Sequence, residues 1–160
     1  MINLFLLAAL ATFDGGAVRY DCQAEKQLLM QSNSGDWSFS AQTVDRDQRE
    51  MFSWTFDAVR GEDGSLTVVH EPGILDALGV GGEYEAVDIA PGQFAFSTRK
   101  ESNCLLTELG CGALVEISDI GQKRASFTIT PMGSVKMQDG SREILQMVML
   151  GTCQKSEAKS

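Results

Sequence analysis

Apolar and polar side chains alternate residue by residue through most of this chain. Phe52, Trp54, Phe56 and Ala58 alternate with Ser53, Thr55 and Asp57. A period of two places the first set on one face of a pleated strand and the second set on the other. Residues 60–65 follow, and their Asp63-Gly64 step is a hairpin signal. Residues 66–71 then read as the returning strand. Trp37, Phe39 and Ala41 alternate with Ser38 and Ser40 in an earlier strand, and Phe94, Phe96 and Thr98 alternate in a later one. Residues 113–118 and 125–130 give two more, and Pro131 is expected to end the second because proline offers no ladder N–H. Asp139-Gly140 marks another turn, and residues 141–153 form the closing strand.

About eight or nine strands are expected, each of ordinary length. Short, turn-rich spacing favours meander or Greek-key connections over βαβ crossovers. The predicted class is therefore all-β: a single antiparallel β-barrel, closed or nearly closed, or a sandwich. Residues 25–30 fit either a helical turn or part of a strand. Residues 74–78, between Pro72-Gly73 and the glycines at 79, 81 and 82, read as a short helical turn. One β domain over residues 18–154 accounts for the pattern, with a polar, frayed tail at 155–160.

Residues 2–11 form an apolar run with the length and composition of a secretory leader, although no Lys or Arg precedes it. It is too short to span a bilayer, which takes roughly 20 residues. Small-residue sites at Ala9-Leu10-Ala11 and Gly15-Gly16-Ala17 could end it, which makes residues 1–17 the expected signal segment. The alternative is an apolar first element of the folded domain.

The cysteines point to the same compartment. Cys22, Cys104, Cys111 and Cys153 are an even set, which in an exported chain implies disulfides. Four cysteines allow three pairings. Cys22 lies in the first strand-like segment and Cys153 in the last, so a closed barrel would bring them together. Cys104 and Cys111 would close a short local loop. Zinc is disfavoured, because there is no Cys-x-x-Cys pair and only one histidine.

The chain has 160 residues, the size of one domain, and a formal net charge of -9. That field repels nucleic acid and anionic membrane surfaces, since binding to either needs clustered Lys and Arg. The basic residues here are scattered. No partner of those kinds is expected, and no membrane span in the mature chain.

Candidate chemistry is sparse. His70, the one histidine, has no obvious nucleophile partner, so a strand-surface or rim position is the simpler assignment. Carboxylates are plentiful at Asp45, Asp47, Glu50, Asp57, Glu62, Asp63, Glu83, Glu85 and Asp88. A hydrolytic pair depends on their separation in space rather than in sequence. There is no Gly-x-Ser-x-Gly, phosphate loop or paired zinc motif, and no catalytic residue, metal or cofactor is assigned.

The aromatic residues carry the functional reading. Trp37, Phe39, Phe52, Trp54, Phe56, Phe94 and Phe96 are candidates to line a cavity for a small apolar ligand. Filling the core is the simpler role for the same residues. In outline the chain resembles small exported barrels of the lipocalin-like or avidin-like kind, a likeness of shape that does not settle function. The expectation is an exported, non-enzymatic binding module, periplasmic or secreted, that holds a small apolar ligand. The alternatives are an exported protein-binding or inhibitor-like domain with a packed core and, below it, a carboxylate-based hydrolase.

Overall fold

The computed structural model describes residues 16–33, 36–49, 52–70, 82–100, 111–132, 135–136, 142–143 and 145–158. The strands are β1 (Ala17–Asn33), β2 (Asp36–Thr43), β3 (Ser53–Arg60), β4 (Leu66–His70), β5 (Gly82–Ala90), β6 (Gln93–Lys100), β7 (Cys111–Gly121), β8 (Arg124–Met132), β9 (Val135–Lys136), β10 (Arg142–Glu143) and β11 (Leu145–Glu157). A 3-10 turn covers Arg46–Gln48. Every pairing is antiparallel. The main sheet runs β11-β8-β7-β6-β5-β4-β3-β1, and β11 pairs back onto β1. The result is a closed eight-stranded barrel, as the alternation implied. β2 stands outside it, paired to the second half of β1.

β1 serves two structures. Its first half pairs with β3 through Gln23↔Ser53, and its second half pairs with β2 from Lys26↔Thr43 to Asn33↔Asp36. Both halves pair with β11, and a bulge separates Ala24 from Lys26. The bulge restores the facing of side chains. Tyr20, Cys22 and Ala24 point inward before it, and Gln27 then pairs with the buried Met149 after it. Residues 25–30 are therefore strand.

The interior is lined by alternate residues of seven barrel strands, while β5 contributes only the partly buried Tyr84 and Ala86. Trp54, Phe56 and Ala58 come from β3, Leu66, Val68 and His70 from β4, and Phe94, Phe96 and Thr98 from β6. Ala113, Val115 and Ile117 of β7, Ala125, Phe127 and Ile129 of β8, and Met149 and Cys153 of β11 complete the layer. Gly151 makes room within it. A Cβ there would overlap the Gln23 carbonyl oxygen and lie 2.6 Å from the Phe127 ring.

Cys22 and Cys153 are directly opposite in the β1–β11 ladder and form a disulfide. It joins the first and last barrel strands inside the core. Cys104, and with it the local Cys104–Cys111 pairing, lies outside the described residues, as do the short helix at 74–78 and residues 1–15 of the leader. Ala17 already pairs with Val59.

Two boundaries differ from expectation. Pro131 does not end β8, but pairs with Ala113. β11 leaves β8 beyond Ile129, so Pro131 has a ladder neighbour on one side only, and its missing N–H is tolerated there. The tail is also more ordered than its polarity suggested. β11 continues to Glu157, where it pairs with Val18, and the Ala158 amide donates to the Ala17 carbonyl.

Candidate functional site

The two ends of the barrel are built differently. At one end, tight turns join β3 to β4, β5 to β6 and β7 to β8. Gly64 and Gly92 adopt positive φ there, which glycine tolerates without a Cβ clash. At the other end the strands are joined by residues 71–81 and 101–110, which lie outside the described residues. His70, Trp54 and Thr98 all sit on the stretches of β4, β3 and β6 nearest that second end.

A column of rings connects the ends. The Tyr20 and Phe56 rings stack with centroids 4.7 Å apart, and the Phe56 and Trp54 rings do the same at 4.7 Å. The His70 ring lies 5.7 Å from Trp54. Phe94 meets Tyr20 edge-on, and Phe127 meets Trp54 edge-on at 5.6 Å. Phe96 stands between Trp54 and Tyr84, 6.5 and 6.1 Å from their rings. These offset and T-shaped arrangements are the ones that the ring quadrupole favours.

Polar groups interrupt this apolar interior toward both ends. At the tight-turn end, the buried Lys155 ammonium contacts an Asp119 carboxylate oxygen at 2.6 Å. The other oxygen of Asp119 is buried with no hydrogen-bond partner among the described residues. Tyr20 is the register partner of Lys155, and burial, then the Asp119 charge, push its phenol well above the ordinary range. Toward the other end, Trp54 is 5% exposed, and its Nε1–H is buried with no acceptor among the described residues. A buried indole normally finds one. Nearby on β6, the Thr98 hydroxyl oxygen accepts the Ala113 amide at 3.0 Å and retains its own proton to donate.

His70 is 5% exposed and faces the barrel interior, not the surface or rim expected of it. Its parity with Leu66 and Val68 puts it there. The seven aromatic candidates divide. Trp54, Phe56, Phe94 and Phe96 share the interior, and Phe52 packs against that core while partly exposed. Trp37 and Phe39 stand apart on β2, 51% and 72% exposed. The orphaned Trp54 donor and the Asp119–Lys155 pair were not identified from sequence. For the pair, the signal was present: Asp119 continues the inward parity of Val115 and Ile117, and Lys155 that of Cys153.

Two of the candidate carboxylates lie against cations. Arg60 holds Asp88 in a two-pronged contact at 2.8 and 2.9 Å, which lowers the Asp88 pKa, chiefly through that hydrogen bonding. Asp57 lies 3.5 Å from Arg19. Among the described residues, no cluster of three His, Cys, Asp or Glu side chains could hold a metal ion. No helix among them is long and apolar enough to cross a membrane. No protein-family model matches the chain, and no curated protein matches it in sequence.

Proposed function

We propose that the protein is an exported, non-enzymatic binding module whose barrel interior takes a small, largely apolar molecule bearing one hydrogen-bond acceptor. The closed β-barrel and the buried Cys22–Cys153 disulfide are compatible with such a role. The observation that carries it is the Trp54 Nε1–H, a buried donor without an acceptor among the described residues, set among Phe56, Phe96, Phe127 and His70. Leaving such a donor unsatisfied costs about 1–3 kcal/mol, and a ligand acceptor removes that cost on binding. The rings around it offer apolar surface to the remainder of the ligand. Such sites combine mostly apolar lining with a few placed polar groups.

The chain has two tryptophans, so Trp37→Phe leaves Trp54 as the only indole reporter. The test is a fluorescence titration of that variant with fatty acids, fatty alcohols, long-chain methyl ketones and plain alkanes of matched length. A saturable change with the acceptor-bearing series, weaker with the alkanes, is expected. Trp54→Phe, which keeps a ring but loses the donor, should weaken binding of the acceptor-bearing series in a competition assay. An unresponsive Trp54 across the panel would overturn the proposal.

A further inference from the structure

β2 ends the main sheet outside the closed barrel, and along its full length its outer edge has no pairing partner among the described residues. All of its residues are exposed. Natural edge strands are commonly protected by lysine, proline, a bulge or a covering segment. β2, Asp36-Trp37-Ser38-Phe39-Ser40-Ala41-Gln42-Thr43, has no lysine or proline and pairs with β1 without a register shift. Its single charge is Asp36 at one end.

The register shows which groups the edge presents. The Val44 amide donates to the Glu25 carbonyl at 2.9 Å, one step beyond the Lys26↔Thr43 pair. In an antiparallel ladder, hydrogen-bonded and non-hydrogen-bonded pairs alternate. Even-numbered residues of β2 therefore bond to β1, and the backbone groups of Trp37, Phe39 and Ala41 point to the open edge. Their side chains share one face with Met30 and the exposed Leu28 of β1, and with Val148 of β11.

We propose that β2 is a dimerisation edge, and that a second copy of this chain adds its own β2 antiparallel to the first about a two-fold axis. With Phe39 opposite Phe39, the outward amide and carbonyl groups of the two strands meet as reciprocal pairs. Trp37 then lies opposite Ala41, large against small, on the same face as the Phe39 pair. Aromatic cross-strand pairs of this kind favour association. Charge supports a second copy at this edge. Two chains of net charge -9 repel broadly, but here the only strand charges are the two Asp36 carboxylates. Antiparallel pairing separates them by about six residues, or about 20 Å. Screening acts over about 8 Å at physiological salt, so the two carboxylates scarcely interact. A two-fold contact between β2 strands uses the β2 edge of both chains, so an assembly built on it closes at two copies, as an isologous interface does.

The experiment is sedimentation equilibrium of the full chain from low to high micromolar concentration. Wild type should reach twice the chain mass and stop there. Phe39→Lys would place two ammonium groups opposite each other and should weaken the dimer about tenfold or more, equivalent to about 1.4 kcal/mol. Ala41→Pro should also weaken it, by removing an outward amide while leaving the aromatic face in place. Val87→Lys, at a residue 68% exposed on β5, should leave the dimer unchanged. Thermal melting confirms that each variant is folded. A wild type that stays monomeric, continues past two copies, or assembles equally well with Phe39→Lys overturns the proposal.

Discussion

Removing the Cys22–Cys153 bridge should cost this barrel much of its stability. The bridge spans a sequence separation of 131, so it constrains almost the whole domain when the chain unfolds. The chain-entropy relation gives about 5 kcal/mol for a loop of that length, with native strain and residual unfolded structure able to reduce it. A domain is stable by about 5–15 kcal/mol in total, so the loss is a large fraction. At about 2–4 °C per kcal/mol, the melting temperature of Cys22→Ala/Cys153→Ala should fall by about 10–20 °C. Both positions are fully buried, so alanine avoids the desolvation cost that serine would add. The assay is thermal melting by circular dichroism, with oxidised and reduced wild type run alongside. Reduced wild type should melt near the double variant. Cys104→Ala/Cys111→Ala should lose less, because the loop between those residues is short and the same relation gives roughly 2.5 kcal/mol if they are paired. A double Cys22/Cys153 variant melting within about 3 °C of oxidised wild type would refute the entropic argument.

Three further outcomes follow from the packing and charges. Lys155→Met leaves the partly buried Asp119 carboxylate without its cation and should destabilise the fold by about 1–3 kcal/mol in urea unfolding, while Lys155→Met/Asp119→Asn recovers part of that loss. Gly151→Ala pushes a methyl group into the Gln23 carbonyl and the Phe127 ring, and should cost about 1–3 kcal/mol in the same assay. Tyr20 has a raised folded pKa, so the stability linked to its protonation is complete below the ordinary phenol value of 10.0 and is lost as pH rises above it toward the folded value. Wild type should therefore lose stability more steeply than Tyr20→Phe in melts taken through that alkaline range, and parallel curves would contradict the assignment.

Alternation made most of the barrel legible. Trp54-Thr55-Phe56, Phe94-Ala95-Phe96 and Ala125-Ser126-Phe127 each commit one face to the interior, and the structure buries those faces. The same signal misleads at β2. Trp37-Ser38-Phe39 alternates as clearly, but β2 has no barrel layer facing it, and a period of two does not reveal whether the apolar face meets a core or solvent. His70 was misplaced because its polarity outweighed its parity with Val68. Lys155 and Asp119 were hidden for the same reason. A partly buried ion pair draws its stability from a partner distant in sequence, and no local pattern records that partner. The Cys22–Cys153 pairing was legible because closure of a barrel brings its first and last strands together. That no described residue accepts from Trp54 is a three-dimensional fact that no local pattern records.

The central claim is that the interior around Trp54 holds a small molecule. Native mass spectrometry of the protein purified from its own host tests it most directly, with Trp54→Phe purified in parallel. The account predicts a bound mass on wild type that is released on denaturation and depleted in the variant. Wild type carrying no added mass, or an adduct retained equally by Trp54→Phe, would contradict it.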